Sequence, residues 1–330
     1  MQHRTMESYK IQLVAIVSLI LVFPNTQGWG EDGHFIVCKI AQSRLSNSAA
    51  EAVKNLLPES AQNDLASLCL WPDEIKRDAR YRWSATLHFA DTPDSLCNFQ
   101  YDSKSPYSFI LMHSASNDPS GALSELGKTT QQFRDCKDLS TGEKGQCVVG
   151  AINNYTNQLL NYGSVTKYNL TEALLFLSHF VGDIHQPLHC GFVSDLGGNR
   201  VAVNWYNTVR NLHRVWDDDI IETAEERFYD SNRTEYINAI QQNITKAWAD
   251  QVKGWENCSP NKIPCPDIYA SESIEEACQW AYKGVSVNSN LQDEYFLTRL
   301  PIVTLRLAQG GVRLAATLNR IFGTQYSAAM

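Results

Sequence analysis

Two short runs in this chain place histidine and aspartate where they could grip a divalent cation. The denser run is Ser178-His-Phe-Val-Gly-Asp-Ile-His-Gln-Pro-Leu-His189. His179 and Asp183 are four residues apart, so a helix would set them on one face. His213 and Asp217 repeat that spacing in His213-Arg-Val-Trp-Asp217. An imidazole nitrogen beside a carboxylate oxygen on one helix face is how a helix presents ligands to zinc. One such pair alone is an ordinary surface contact; two pairs with more histidines between them point to metal. Spacing leaves one choice open. His185 and His189 are also four apart, and Pro187 between them disturbs any helix there. Other chemistries lack their signatures. There is no G-x-S-x-G elbow, no Gly-rich phosphate loop and no H-E-x-x-H. The cysteines do not have the close pairing of a zinc finger.

The elements that must position these residues read as helices. Residues 34–57 carry apolar side chains at spacings of three and four, closed by Pro58. Ala151 to Leu160, Thr171 to Gly182, Thr234 to Val252 and Ser273 to Tyr282 look similar. Leu300 to Phe322 predicts two helices meeting near Gly310-Gly311. Val201 to Tyr206, after the Gly197-Gly198 turn, predicts the arm of a short β-hairpin. The expectation is one mainly α domain. Asp102 to Phe133 breaks the pattern. It is rich in Ser, Gly, Thr and Asn and has little periodicity, as an insertion would.

The first residues read as an address. Arg4 and Lys10 precede the apolar run Ile11 to Phe23, which is shorter than the ~20 residues of a membrane span. Thr26-Gln27-Gly28 supplies the small residues of a cleavage site, so residues 1–28 are expected to leave as a signal peptide. Losing Arg4, Glu7 and Lys10 takes the charge from -8 to -9. Nine cysteines in an exported chain imply disulfides with one thiol left over. Asn154, Asn169, Asn232 and Asn243 open glycosylation sequons. With 330 residues, 43% of them hydrophobic, the chain can bury a large core and is not a disordered chain or a collagen-like repeat. Its acidity argues against a broad basic surface for nucleic acid. It does not argue against a small positive site supplied by metal.

Trp29-Gly-Glu-Asp-Gly-His34, Trp71-Pro-Asp-Glu-Ile-Lys76 and Leu87-His-Phe-Ala-Asp-Thr-Pro93 precede the two His/Asp runs. In that order the five motifs closely resemble the zinc-dependent secreted nucleases. These are the fungal single-strand nucleases and plant bifunctional endonucleases, related to a zinc phospholipase C. The resemblance covers Trp29 to about Phe322 and is interrupted at 102–133. It implies a single helical domain over 29–322, a tail at 323–330 open to trimming, and three zinc ions. Asp73, His88, His179 and Asp183 would hold the first. His189, His213 and Asp217 would hold the second. His34, Asp183 as a bridge, and the amino nitrogen and carbonyl oxygen of Trp29 would hold the third. His185 is left out, as a helix-surface or supporting histidine.

The resemblance further makes Asp73 and Lys76 the catalytic pair, with Lys76 a charge partner in the transition state. Phe89 would stack on a base and Asp91 would accept from its donors. Implied disulfides are Cys38-Cys69, Cys97-Cys278, Cys136-Cys147 and Cys258-Cys265, leaving Cys190 as a buried thiol. The implied reaction is zinc-assisted hydrolysis of single-stranded DNA and RNA to 5'-phosphate products, with 3'-nucleotidase activity. The expected protein is monomeric, without stable membrane association, and extracellular or vacuolar. Two competitors stand beside it: a lipid-directed phospholipase on the same frame, and a non-catalytic zinc glycoprotein. Phospholipase relatives tend to carry Glu at the position of Asp217 and lack the His88-Phe-Ala-Asp91 pocket.

Overall fold

The computed structural model describes residues 29–101, 136, 145–259 and 262–323. The expected leader, the expected insertion at 102–133 and the tail beyond Gly323 expected to be open to trimming lie outside the described residues.

The fold is mainly α. The helices are α1 Glu31–Ser43, α2 Asn47–Leu56, α3 Trp71–Ile75, α4 Val148–Leu159, α5 Leu170–Asp183, α6 Ile220–Phe228, α7 Arg233–Thr245, α8 Val252–Glu256, α9 Pro266–Glu276 and α10 Asp293–Gly323. The long apolar stretch at 34–57 is two helices, not one. Ser46 ends the continuity because its hydroxyl accepts from the Ala49 amide and caps α2. Asn232 caps α7 in the same way. That helix stops at Thr245, short of the expected Val252, and α8 begins there.

The expected break near Gly310-Gly311 is absent: α10 runs unbroken. The glycines serve close packing instead. A Cβ at Gly311 would fall 2.5 Å from Ile40 of α1, so α1 and α10 meet almost backbone to backbone at the centre of the core. The hairpin forms as β1 Ala202–Trp205 against β2 Thr208–Asn211, with Ala202 opposite Asn211 and Trp205 opposite Thr208. Tyr206 and Asn207 turn the chain with φ of 43° and 71°. A third strand, β3 Ser289–Leu291, pairs parallel to β1 and was not legible in three residues.

The structure bonds Cys38 to Cys69, Cys97 to Cys278, Cys136 to Cys147 and Cys258 to Cys265. Cys190 is buried and unbridged. Asn154, Asn169 and Asn232 are exposed and Asn243 is half-buried. Asn169 and Asn232 cap helices through Oδ1, not through the nitrogen to which a glycan attaches. Among the described residues no helix is long and apolar enough to cross a membrane.

Glu225 of α6 sets a pH dependence apart from any metal. It is buried, and its Oε1 has no hydrogen-bond partner. Burial, helped by Asp32 and opposed by Arg233, pushes its carboxyl from 4.5 up to about 7. Between those values the folded chain holds a proton that the unfolded chain has lost. Stability therefore falls as pH rises through that window and levels off above it. Glu225→Gln is expected to raise Tm at pH 8 and to match the wild type at pH 4.5. An equal Tm difference at both pH values would refute the assignment.

Candidate metal centre

α5 is the backbone of the site. Asn169 caps its start, and its last turn carries His179 and Asp183 on one face, with Nε2 and Oδ2 3.2 Å apart. His179 Nδ1 donates to the Cys69 carbonyl at 2.7 Å. That contact fixes the tautomer and leaves Nε2 with its lone pair facing inward. His88 ends the 3-10 turn Arg82–His88. Its Nδ1 lies 2.9 Å from Asp183 Oδ2, 3.0 Å from His179 Nε2 and 3.4 Å from Asp73 Oδ1. Asp73 sits on α3, where Pro72 suits the first helical turn. The Lys76 ammonium pairs with Asp73 Oδ1 one turn on.

His34 enters from α1. Its ring stacks on His179 at 3.8 Å, and Nε2 comes within 3.3 Å of Asp183 Oδ1. Gly182 makes room for it. A Cβ there would fall 2.8 Å from His34 Nδ1. Since His179 blocks retreat on the stacked side, Gly182→Ala is expected to displace His34 and to lower the metal content of the purified protein. Helix content should hold, because alanine favours helix. Full metal stoichiometry by elemental analysis would contradict this.

The second half of the cluster comes from two turns. His189 lies on the 3-10 turn Pro187–Cys190 and donates from Nδ1 to the His88 carbonyl at 2.6 Å. The Ala90 amide returns a bond to the His189 carbonyl, so residues 88–90 and 189 lock together. His213 donates from Nδ1 to the Gly197 carbonyl, and its Nε2 lies 3.1 Å from His189 Nε2 and 3.4 Å from Asp217 Oδ2. Asp217 rides a π-turn, Val215–Asp219. Single π-turns of this kind recur at functional sites. Trp29 is fully buried, and the Gly30 amide donates to the Asp217 carbonyl at 3.0 Å.

These side chains sit at almost zero exposure, where carboxylates need compensating charge. Burial alone would raise Asp183, but His179, His88 and His34 hold it well below the usual carboxylate range. Burial raises Asp217, and neighbouring Asp218 adds to the rise. Buried polar atoms are normally hydrogen-bonded. Here both ring nitrogens of His34, His88 Nε2, Asp73 Oδ2 and Asp183 Oδ1 are buried without a hydrogen-bond partner. His34 Nε2 and Asp183 Oδ1 approach closely without hydrogen-bond geometry. A cation between such atoms would satisfy them.

Three groups have ligand atoms within 4.8 Å of one another: His34, His179 and Asp183; Asp73, His88 and His179; His189, His213 and Asp217. Imidazole and carboxylate donors in sets of three suit zinc, so the residues present fit a divalent metal.

His185 stands outside these groups, and it is not on the helix surface. It is fully buried. Its Nδ1 donates to the Val181 carbonyl, and its Nε2 accepts from Arg313 at 3.0 Å. Burial and two nearby arginines keep it neutral. Sequence reasoning missed the brace behind it. Glu272 pairs with both Arg306 and Arg313, and Arg306 donates to the His185 carbonyl. Ser273 holds the Ile184 carbonyl. The backbone between Asp183 and His189 is thereby clamped from α9 and α10. Gln186, also missed, donates to Asp217 Oδ1. An amide carries no spacing signal.

Phe89 is half-buried and Asp91 meets solvent at the rim. Crowding by its neighbours, with Asp195 nearby, pushes the Asp91 carboxyl up to about 6.

Residues 29–323 match the family model described as S1/P1 Nuclease. The chain is 54% identical over 317 residues to "Endonuclease 2" of Arabidopsis thaliana, covering 95% of this chain and 97% of that protein. It is 30% identical over 305 residues to "Nuclease S1" of Aspergillus oryzae, covering 90% and 92%. It is 29% identical over 315 residues to "Nuclease P1" of Penicillium citrinum, covering 90% and 99%.

Proposed function

The chain belongs to the S1/P1 nuclease family and is a nuclease, and on that premise we propose that it is a secreted, zinc-dependent endonuclease acting on single-stranded DNA and RNA. The observation that carries this is the convergence of three buried His/Asp ligand groups, in which His34 Nε2 and Asp183 Oδ1 face each other without a hydrogen bond, with Lys76 alongside. Three zinc ions are held as follows in this reading: Asp73, His88, His179 and Asp183; His189, His213 and Asp217; and His34, Asp183 and the terminal Trp29. Bound there, the metal supplies Lewis-acid charge to the phosphate and makes water a usable nucleophile near neutral pH.

The chain's own groups do the rest. Asp73 holds Lys76 beside the metal ligands, where its ammonium can offset charge developing on phosphate. Phe89, kept next to His88 by the bonds to His189, offers a face for an unpaired base. Asp91 accepts from that base's donors. Stacking on a base face needs an unstacked base, which favours single strands. The products are 5'-phosphates, and 3'-nucleotides are also substrates. Residues 1–28 are a cleaved leader, and their removal frees the Trp29 amine, whose ordinary pKa of about 7.7–8.0 lets metal displace its proton. The mature protein is a monomeric glycoprotein carrying sugar at Asn154, Asn169, Asn232 and Asn243, in the extracellular space or the vacuole.

The test is a substrate panel. Purified protein is given single-stranded DNA, RNA, a 3'-nucleotide and a phosphatidylcholine dispersion, with folded Asp73→Asn protein alongside. Release of 5'-nucleotides by the wild type alone supports the reading. Lipid hydrolysis without nucleotide release would move the protein to the phospholipase branch.

A further inference from the structure

The segment joining ligand Asp73 to ligand His88 carries a feature the metal centre does not use. Trp83 is 53% exposed, although the rings around it are packed into the core. Its indole is not loose. Nε1 donates to the Arg80 carbonyl at 2.8 Å. The ring rests against Phe176 at 5.8 Å and Tyr81 at 6.3 Å, and Tyr81 is anchored to Glu172 of α5. A large aromatic side chain is thus fixed in place with much of its surface open to water.

The segment around it is locally basic. Between Glu74 and Trp83 there are four cations, Lys76, Arg77, Arg80 and Arg82, against two acids, Glu74 and Asp78, in a protein whose formal charge is -8. Arg77, Arg80 and Arg82 are all exposed. A rigid aromatic ring flanked by arginines is the combination that holds unpaired nucleic acid. Bases stack on the ring and phosphates pair with the cations.

Position supports the same ligand. Ring-to-ring steps of 5.8, 5.5 and 5.0 Å lead from Trp83 through Phe176 and Phe180 to His88. These steps run through the buried rings of Phe176 and Phe180, so they show that the indole lies near the centre, and a strand reaching both would pass around those rings.

We propose that Trp83, with Arg77 and Arg82, forms a second base-and-phosphate subsite that takes a nucleotide of the single strand away from the cleaved bond. The proposal rests on the nuclease reading for the identity of the strand, while the subsite itself is a matter of binding. Its consequence is a length preference: oligonucleotides long enough to reach Trp83 bind more tightly than short ones.

Two measurements test it. The first is KM for dT2, dT4 and dT8 with wild type, Trp83→Ala and Trp83→Phe holoenzymes. The wild type is expected to show KM falling about tenfold or more from dT2 to dT8, the size of one stacked base. Trp83→Ala should flatten that dependence, and Trp83→Phe, which keeps a ring, should restore most of it. The second is fluorescence anisotropy with a labelled phosphorothioate dT8, which reads binding without turnover. Trp83→Ala and a double Arg77→Gln, Arg82→Gln variant should each weaken it about tenfold. Equal dT8 affinity in wild type and Trp83→Ala overturns the subsite. Loss of the length dependence in Trp83→Phe as complete as in Trp83→Ala also overturns it, since a ring would then not be what binds. Binding of dT8 with no turnover of any oligonucleotide would overturn the nuclease reading and leave the subsite standing.

Discussion

Asp183→Asn is expected to lower turnover of single-stranded DNA by about 1,000-fold or more, the scale of several kcal/mol of lost charge stabilisation. The substitution keeps the shape and removes the charge. Four histidines crowd this one carboxylate, with His88, His179, His34 and His189 at 2.9, 3.2, 3.3 and 3.7 Å. It is the residue whose two oxygens face two different ligand groups: Oδ2 faces His88 and His179, and Oδ1 faces His34 and His189. An amide carries no charge to offset that of a cation held among these rings. Breaking one member of a buried charge set also costs about 3–5 kcal/mol, because the partners stay buried without compensation. The measurement is turnover together with metal content per chain. Both should fall, and more than one metal should be lost. Activity within tenfold of wild type would remove Asp183 from the centre.

The second large effect is on stability. Exhaustive chelation is expected to lower Tm by roughly 20 °C, and zinc should restore it. A ligand that binds only the folded state contributes about 4 kcal/mol when present at 1,000 times its Kd. Two such sites contribute about 8 kcal/mol, and each kcal/mol moves Tm by about 2–4 °C in a domain of 150–250 residues. The cluster ties together α1, α3, α5, the 3-10 turn at 187–190 and the π-turn at 215–219. Removing the cations leaves buried carboxylates and imidazoles facing each other across those joints. Calorimetry with and without chelator reads the effect directly. A shift of only two or three degrees would mean that packing alone sets this geometry and the cations add little.

Part of the site was legible because helical spacing is local. His179 with Asp183 and His213 with Asp217 share a face by virtue of the chain alone. His34, Asp73 and His88 could not be joined to them by spacing. They arrive from three separate elements, and their grouping came from the motifs of a resembling family. Spacing could not choose between His185 and His189; the resemblance chose His189, and the structure sets that ring against His213 and the His185 ring against Arg313. The helices were read well where caps or breakers are strong. The break at Ser46 was missed because the apolar period carries across it. The break expected at Gly310-Gly311 is absent because those glycines answer to α1, 270 residues earlier in the sequence. β3 was invisible because three residues hold no pattern, and its partner strand lies far away in the chain.

The bond between His179 and the Cys69 carbonyl links the centre to the oxidation state of its surroundings. Cys69 is held to Cys38 on α1, the helix that also brings His34. One covalent cross-link therefore fixes both the acceptor that aims one ligand ring and the helix that delivers another stacked on it. With the cross-link in place, the acceptor and the helix hold both rings aligned before any ion is bound; cutting it would release the two together.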